Sequence, residues 1–477
     1  MNIIKNLKPK QADEPPEPKV EITGSINEDA AALRKMFDNS ADLTLKTMHM
    51  KSGGEVLVAS LEGLADKELI TLSITNRIAD CLMPHGEDVF TYVQREIMSC
   101  GDIIVAYDLT EAAGLMMSGF ACVIVSGCKM ALCAGVQGYA YRSVDEPPTE
   151  VLQRGSREGF CEPMKVNQAM LRRRLKTPKL KFETLKLGQI SQTDVCICYI
   201  RDKISSDLLD KVKQRLNGVK LESLIASGYL AGYLDAGGFS FFNGVGVTER
   251  PDVCCSKLCE GKVAIIVDGS PSVLVVPHMM SENFTTLDDY CNRPYFSVIT
   301  RWLKYAAFAV SILLPGIYVA LATFDPEFLP GALLTRVVTS VSKTPFSAFA
   351  EVLLFTFIYE IMREAGLRLP KSLGHAVSII GGLVIGDTAV SSGFIGAPTL
   401  MIVALTVICS YVIPSLYAPI SILRLLFIIA GGVWGMWGIA LMICLTLVDL
   451  CSKQTLDISF AAGRRHASGG IFRFNLL

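Results

Sequence analysis

The chain has 477 residues, 51% of them hydrophobic and 19% charged, with a formal net charge of -1. That balance excludes a strongly basic nucleic-acid binder and a polyanionic tail, and leaves lipid and protein as the expected partners. The length has room for two or three domains, and a mean hydropathy of +0.40 places at least one of them in a bilayer.

Residues 1–30 are rich in Pro, Glu, Lys and Asp and nearly free of aromatic side chains, so they are expected to form a disordered tail. The early lysines are followed by no apolar core of roughly 7–15 residues, so no cleaved signal peptide is expected, and the soluble part should stay cytoplasmic. From Leu33 onward, the apolar runs EVLVASL, DIIVAYD and ACVIVS alternate with stretches of helical character. Such alternation is an α/β signature and defines a first soluble subdomain over 31–145.

Glu146, Pro147 and Pro148 form a joint to a second subdomain over 146–300, whose strands are VCICYI, KVAIIVDG and SVLVVP. Its stretch LRRRLKTPKLK, residues 171–181, is the most basic in the chain and reads either as a solvated face or as a contact for anionic headgroups or a neighbouring subunit. The loop GGFSFFNGVG, residues 237–246, follows no clear strand and reads as an ordinary surface turn rather than a phosphate cradle. Fifteen cysteines occur with no CxxC pair and no histidine at ligand spacing, which predicts reduced core thiols and no metal site. The motifs of P-loop, zinc-protease and serine-hydrolase sites are absent, so the chain is expected not to be an enzyme and to need no cofactor.

Charge is unevenly spread. Residues 301–450 hold 15 of the 91 Asp, Glu, Lys and Arg residues, and 372–448 hold two, Asp387 and Arg424. The uncharged runs 388–423 and 425–448 are long enough to span hydrocarbon. The expected architecture is therefore an α/β N-terminal soluble region of two subdomains, followed by an α-helical multi-span membrane domain over 301–450 with about four to six segments and a tail over 451–477. The first span is expected at 305–324 with Pro315 at its middle, the second at 346–362, either a broken or re-entrant segment or a full span at 376–390, and two or three more from 393–413, 415–430 and 433–448. Arg301 and Lys304 before the first span, and Arg363, Arg368 and Lys371 after the second, place the cytoplasm on that side.

Ionisable groups inside such a domain are costly, which makes them candidates for an ion path or a gate. Glu351 and Glu360 are nine positions apart and so fall on opposite faces of one helix. Glu360 with Arg363, and Glu364 with Arg368, have the spacings of intrahelical ion pairs. Asp387 lies in the Gly-rich IIGGLVIGDTAV, where small residues allow close approach or an unwound backbone. Arg424 either snorkels to an interface or pairs with an intramembrane carboxylate.

Several separated motifs carry a resemblance. EPPTEVLQRGSREGF with Arg154, Gly155, Arg157, Gly159 and Phe160, then Asn167 ahead of LRRRL, TERPDV with Arg250, Pro251 and Asp252, REAGLRLP with Arg363, Glu364, Gly366, Arg368 and Pro370, and GGLVIG with Gly381 and Gly382 occur in order. Together they resemble the A-subunit family of GerA-type spore germination receptors over residues 33–450. The resemblance implies an inner-membrane protein of endospores that works beside a permease-like B subunit and a lipoprotein C subunit. It further implies nutrient sensing, ion release and assembly as an oligomer. After Val448 the chain departs from the family pattern. The competing readings are a secondary transporter, for which no internal repeat is visible between 305 and 450, and a sporulation-specific paralogue without a nutrient of its own.

Overall fold

The computed structural model describes residues 19–51, 53–80, 89–94, 102–138, 150, 155–235, 240–328, 330–342, 344–368 and 386–461. They divide into two units, with the break in the chain between Pro277 and His278; residues 240–244 leave the first unit to join the second. The expected boundary at 300 is therefore late by some twenty residues. The unit change precedes the first long helix instead of coinciding with its apolar part.

Unit one holds two five-stranded sheets. The first is built from β1 (Leu43–His49), β2 (Glu55–Leu61), β3 (Ile103–Ala106), β4 (Phe120–Val125) and β5 (Ala131–Gly135) in the order β1-β2-β4-β5-β3. The second comprises β6 (Leu180–Leu187), β7 (Thr193–Ile200), β8 (Gly246–Thr248), β9 (Val263–Val267) and β10 (Val273–Val276) in the order β6-β7-β9-β10-β8. Every pairing in both sheets is antiparallel. Strands and helices thus mix as expected, but the alternation builds no parallel sheet.

The continuous apolar runs follow from burial on both faces. On one face of the first sheet Leu57, Ala59, Cys122 and Ile124 pack with Leu33 and Phe37 at the end of α1 (Ile26–Met36) and with Leu109, Ala112 and Met116 of α2 (Leu109–Met116). On the other face Val56, Val58, Val123 and Leu132 pack with Ile74, Ile78 and Val93. In the second sheet, Phe182, Cys196, Cys198, Ala264 and Val275 pack with α3 (Met164–Arg174) and α5 (Pro251–Cys259), while α4 (Ser206–Asn217) follows β7 in the chain. Helix α1 starts inside the expected tail: Asp29 is fully buried, and its carboxylate accepts from Thr23 N–H and Gly24 N–H at 2.9 and 3.1 Å. The short polar segment is ordered because that carboxylate satisfies backbone donors of the turn before the helix.

Unit two is helical: α6 (Pro294–Thr323), α7 (Gly331–Val341), α8 (Ala348–Arg368), α9 (Ala397–Tyr411) and α10 (Tyr417–Ser452), with a short helix Gly386–Ser391 between α8 and α9. Among the described residues two stretches, Pro294–Thr323 and Pro414–Ser452, are long and apolar enough to cross a membrane, fewer than the about four to six segments expected. Pro315 lies buried inside α6, which extends eleven residues upstream of the expected span. The expected segment at 376–390 falls mostly outside the described residues.

Helix α10 is two arms. Gly435 has φ 57° and ψ -143°, a conformation almost confined to glycine, and it breaks the helix into arms 417–434 and 436–452. A Cβ on Gly316 of α6 would lie 2.7 Å from the Phe427 carbonyl oxygen and 2.9 Å from Ile439 Cδ1. Residues twelve apart on a straight helix are separated by about 18 Å, so the arms fold back on each other across Gly316. Gly431 completes the crossing, since a Cβ there would stand 2.5 Å from the Gly316 carbonyl oxygen. Trp434 and Trp437 flank the bend and are 61% and 85% exposed.

The loop 240–244 is held by the far end of α10: Asp449 Oδ2 accepts from Ser240 Oγ and Phe241 N–H at 3.2 and 3.1 Å. Phe242 stacks on Phe460, and Met280 N–H donates to the Phe460 carbonyl at 3.0 Å. A sequence stretch that reads as a surface turn is thus a tether of unit two, and the tail through Phe460 is packed, with that ring 1% exposed.

Candidate functional site: two carboxylate centres in the helical unit

Glu360 and Glu351 sit on opposite sides of α8 and each meets a different helix. Around Glu360, the first arm of α10 presents Tyr417, Ser421 and Arg424, spaced i, i+4 and i+7 so that they share one face. Tyr417 donates its hydroxyl to both carboxylate oxygens at 3.0 and 2.9 Å, Ser421 donates at 2.9 Å, and Arg424 Nη2 reaches Oε1 at 2.6 Å. Arg363, one turn on along α8, bonds Oε2 at 3.3 Å and lies over the Tyr417 ring at 3.9 Å. Tyr359 stands under the Arg424 guanidinium at 5.7 Å and donates to the Tyr411 hydroxyl of α9 at 2.9 Å.

Arg424 therefore pairs with a carboxylate and does not snorkel. It is 1% exposed, while the Glu360 side chain is 29% exposed. Two guanidinium groups share one carboxylate, and Arg424 Nε and Nη1 have no hydrogen-bond partner among the described residues. Such a joint between two helices is costly to hold without its carboxylate, because an uncompensated buried charge would remain. The Glu364 and Arg368 pair, 2.8 Å apart, is exposed at the end of α8, next to Gly366.

Glu351 is fully buried at the start of α9. Its Oε2 accepts from Thr399 Oγ1 at 2.7 Å and from Gly396 N–H at 3.2 Å, and the Tyr318 hydroxyl of α6 lies 3.1 Å from Thr399 Oγ1. The buried face of α9 continues downward as Thr399, Val403, Thr406 and Ser410. Asp387 is exposed on the short helix Gly386–Ser391 and joins neither centre. Its Gly-rich context suggested a role, but nothing described brings another ionisable group to it.

The motif residues of unit one form structural clasps. The Arg250 guanidinium, 1% exposed, bonds Asp252 at 2.8 Å, the Ser156 carbonyl at 2.6 Å and the Glu150 carbonyl at 3.2 Å, with Pro251 opening α5. Asn167 bonds both the N–H and the carbonyl of Cys161, at 2.9 and 2.6 Å, and Phe160 N–H donates to the Glu249 carbonyl at 2.7 Å. Gly155, with φ 146°, and Gly159 lie in the same wrapped segment, as does Arg157. Arg154, Pro370, Gly381 and Gly382 are outside the described residues.

Most of the basic stretch at 171–181 is engaged within unit one, while Lys176 is exposed. Arg172 is 1% exposed and grips Asp42, in the turn that precedes β1, through Nε and Nη2, both at 3.0 Å, while its Nη1 donates to the carbonyls of Thr177 and Leu180. Arg173 and Arg174 hold Glu158, and Lys181 holds Asp38 at 2.7 Å. Sequence reading missed Tyr417, Ser421, Tyr359, Thr399 and Tyr318. The i, i+4, i+7 spacing of Tyr417, Ser421 and Arg424 was the available signal for the first two.

A two-sheet α/β unit is thus joined to an apolar helical unit that contains two stretches long enough to cross a membrane and an ion pair between two of its helices. The family model described as Bacillus/Clostridium GerA spore germination protein matches residues 31–466. The chain belongs to the GerA spore germination protein family. It is 33% identical over 443 residues to spore germination protein KA of Bacillus subtilis, covering 92% of this chain and 81% of that one. It is 32% identical over 469 residues to the uncharacterized membrane protein YfkQ of Bacillus subtilis, covering 97% and 89%. The crystal structure of the N-terminal domain of the A subunit of the Bacillus megaterium spore germinant receptor GerK3 is similar at 24% identity and a TM-score of 0.42, covering 54% of this chain and 96% of that one. The match to 466 extends past Val448, where the family pattern reads as lost in the sequence.

Proposed function

We propose that this chain is the A-type subunit of a germinant receptor in the inner membrane of the spore, with unit one in the cytoplasm and unit two in the bilayer. In this reading it couples germinant sensing by its complex to ion release and performs no covalent chemistry. Its partners are a permease-like B subunit, a lipoprotein C subunit and further copies of itself. α6, α8, α9 and the two arms of α10 each cross the bilayer or most of it, the arms being about 27 and 26 Å long.

The observation that carries this reading is the Glu360–Arg424 joint, which ties α8 to α10 inside an apolar unit. A signal that favours one packing of these helices over another needs an element with two arrangements, and a buried ion pair shared among Tyr417, Ser421 and Arg363 supplies such an element. The receptor is closed while Glu360 holds both arginines and opens when α10 moves away from α8.

Ion flux through the full chain, reconstituted first alone and then with its B-type and C-type neighbours, tests this. Glu360→Gln removes the charge but keeps the shape, and it should raise basal flux or abolish the nutrient response by tenfold or more, since roughly 1.4 kcal/mol of lost coupling is a factor of ten. Wild-type flux and response in that variant would rule the joint out as the coupling element. Concentrative uptake of solute by the chain alone would instead make it a transporter.

A further inference from the structure

We propose that Glu351, with the hydroxyls of Thr399, Tyr318 and Ser340, forms a binding site for one monovalent alkali cation within the helical unit. This deepens the reading above and rests on the helical unit lying in a membrane.

Three observations converge on Glu351. Its side chain is fully buried, and Oε1 has no hydrogen-bond partner among the described residues, although Oε2 has two. It makes no ion pair among the described residues, because Arg363 and Arg424 serve Glu360 on the opposite side of α8. Hydroxyl oxygens from three other helices gather beside it: Thr399 bonds the carboxylate directly, Tyr318 lies 3.1 Å from Thr399, and Ser340 meets the same glycine as the carboxylate. A Cβ built on Gly396 would be 2.5 Å from Ser340 Oγ and 3.4 Å from Glu351 Oε2.

The start of α9 offers this carboxylate about half a positive charge, and no cationic side chain among the described residues pairs with it in its apolar surround of Val319, Val337, Val352 and Val403. One further positive charge would neutralise the centre. Its chemistry follows from the donors. All are oxygen, which suits a hard cation, and a single carboxylate is too little charge for a divalent ion that demands several. No group of three or more His, Cys, Asp or Glu side chains stands among the described residues to hold a transition metal. Glycine at 396 is needed because any side chain there would push Ser340 and Glu351 apart.

The test is thermal unfolding of the full chain in detergent at constant ionic strength, with choline chloride replaced stepwise by lithium, sodium or potassium chloride. A ligand that binds only the folded state raises the unfolding temperature with the logarithm of its concentration. The wild type should show that rise for at least one alkali cation, Glu351→Gln should show none, and Thr399→Val should need roughly tenfold more cation. Glu360→Gln should keep the wild-type rise, whatever it does to flux, so loss of the receptor reading and loss of this site give different results. A wild type indifferent to all three cations, an equal response in Glu351→Gln, or a response to pH alone would each overturn the proposal. Should Glu351→Gln fail to fold, the Thr399→Val shift decides, and an unchanged midpoint there overturns it.

Discussion

Arg172 and Arg424 are both arginines of about 1% exposure, yet their surroundings differ in a way that separates structure from function. Arg172 is satisfied at every nitrogen, by Asp42, Ser40 and two carbonyls, and stacks on Phe182 at 4.8 Å. It locks the two sheets of unit one together. Asp42→Ala should cost about 3–5 kcal/mol because it strands a buried guanidinium, read as a lower denaturation midpoint. The double replacement Arg172→Met with Asp42→Leu should recover most of that loss, since no charge is then left behind. Arg424, by contrast, leaves two of its nitrogens without a partner among the described residues and shares its carboxylate with Arg363, the condition that the proposed releasing joint needs.

Among the elements, α10 decides the shape of the helical unit. Its bend depends on the φ of 57° at Gly435, and its contact with α6 depends on Gly316 and Gly431 approaching backbone to backbone. Gly431→Val should force α6 and α10 apart, at a cost of about 1–3 kcal/mol for overpacking. The expected readout is a lower unfolding temperature in detergent with Gly432 and Gly435 untouched, and an unchanged melt would mean that the crossing is not as close as described. The apolar segments 415–430 and 433–448 on either side of Gly431 and Gly432 already suggested two segments here. Where the arms go afterwards depends on a close approach between residues more than a hundred positions apart, and no local periodicity encodes that.

At the scale of the whole molecule, acid should weaken unit one. Burial pushes the carboxyl groups of Glu158, Glu62 and Glu183 up, but hydrogen bonds and charges from Arg173 and Arg174, from Lys165 and Lys67, and from Lys213 and Tyr199 hold all three below the usual carboxylate range. The Lys181 hydrogen bond does the same for Asp38. A carboxyl depressed in the folded state contributes stability that is present above its unfolded value and is lost as the pH falls through its folded one. Burial raises Glu150, which contributes in the opposite sense. With four groups against one, unfolding should become easier as the pH drops from about 5 to about 3, and denaturation midpoints across that range should fall steadily. A flat profile would mean that these ion pairs persist in the unfolded chain or are absent from the folded one.

Much of this protein was determined by its sequence alone, since the relevant signals are local or compositional. The doubly buried strands show as unbroken apolar runs, the helical unit shows as a collapse in charge density after residue 300, and the opposite facing of Glu351 and Glu360 follows from helix pitch. The family motifs, too, are legible as strings. Tertiary structure alone decided which face each carboxylate meets, that Arg424 closes on Glu360 across 64 positions, that Arg172 is buried rather than solvated, and that residues 240–244 cap the end of α10. Those outcomes depend on where separate elements pack. A buried charge finds its partner by removal from water, a driving force that acts on neighbours in space and leaves no periodic mark along the chain.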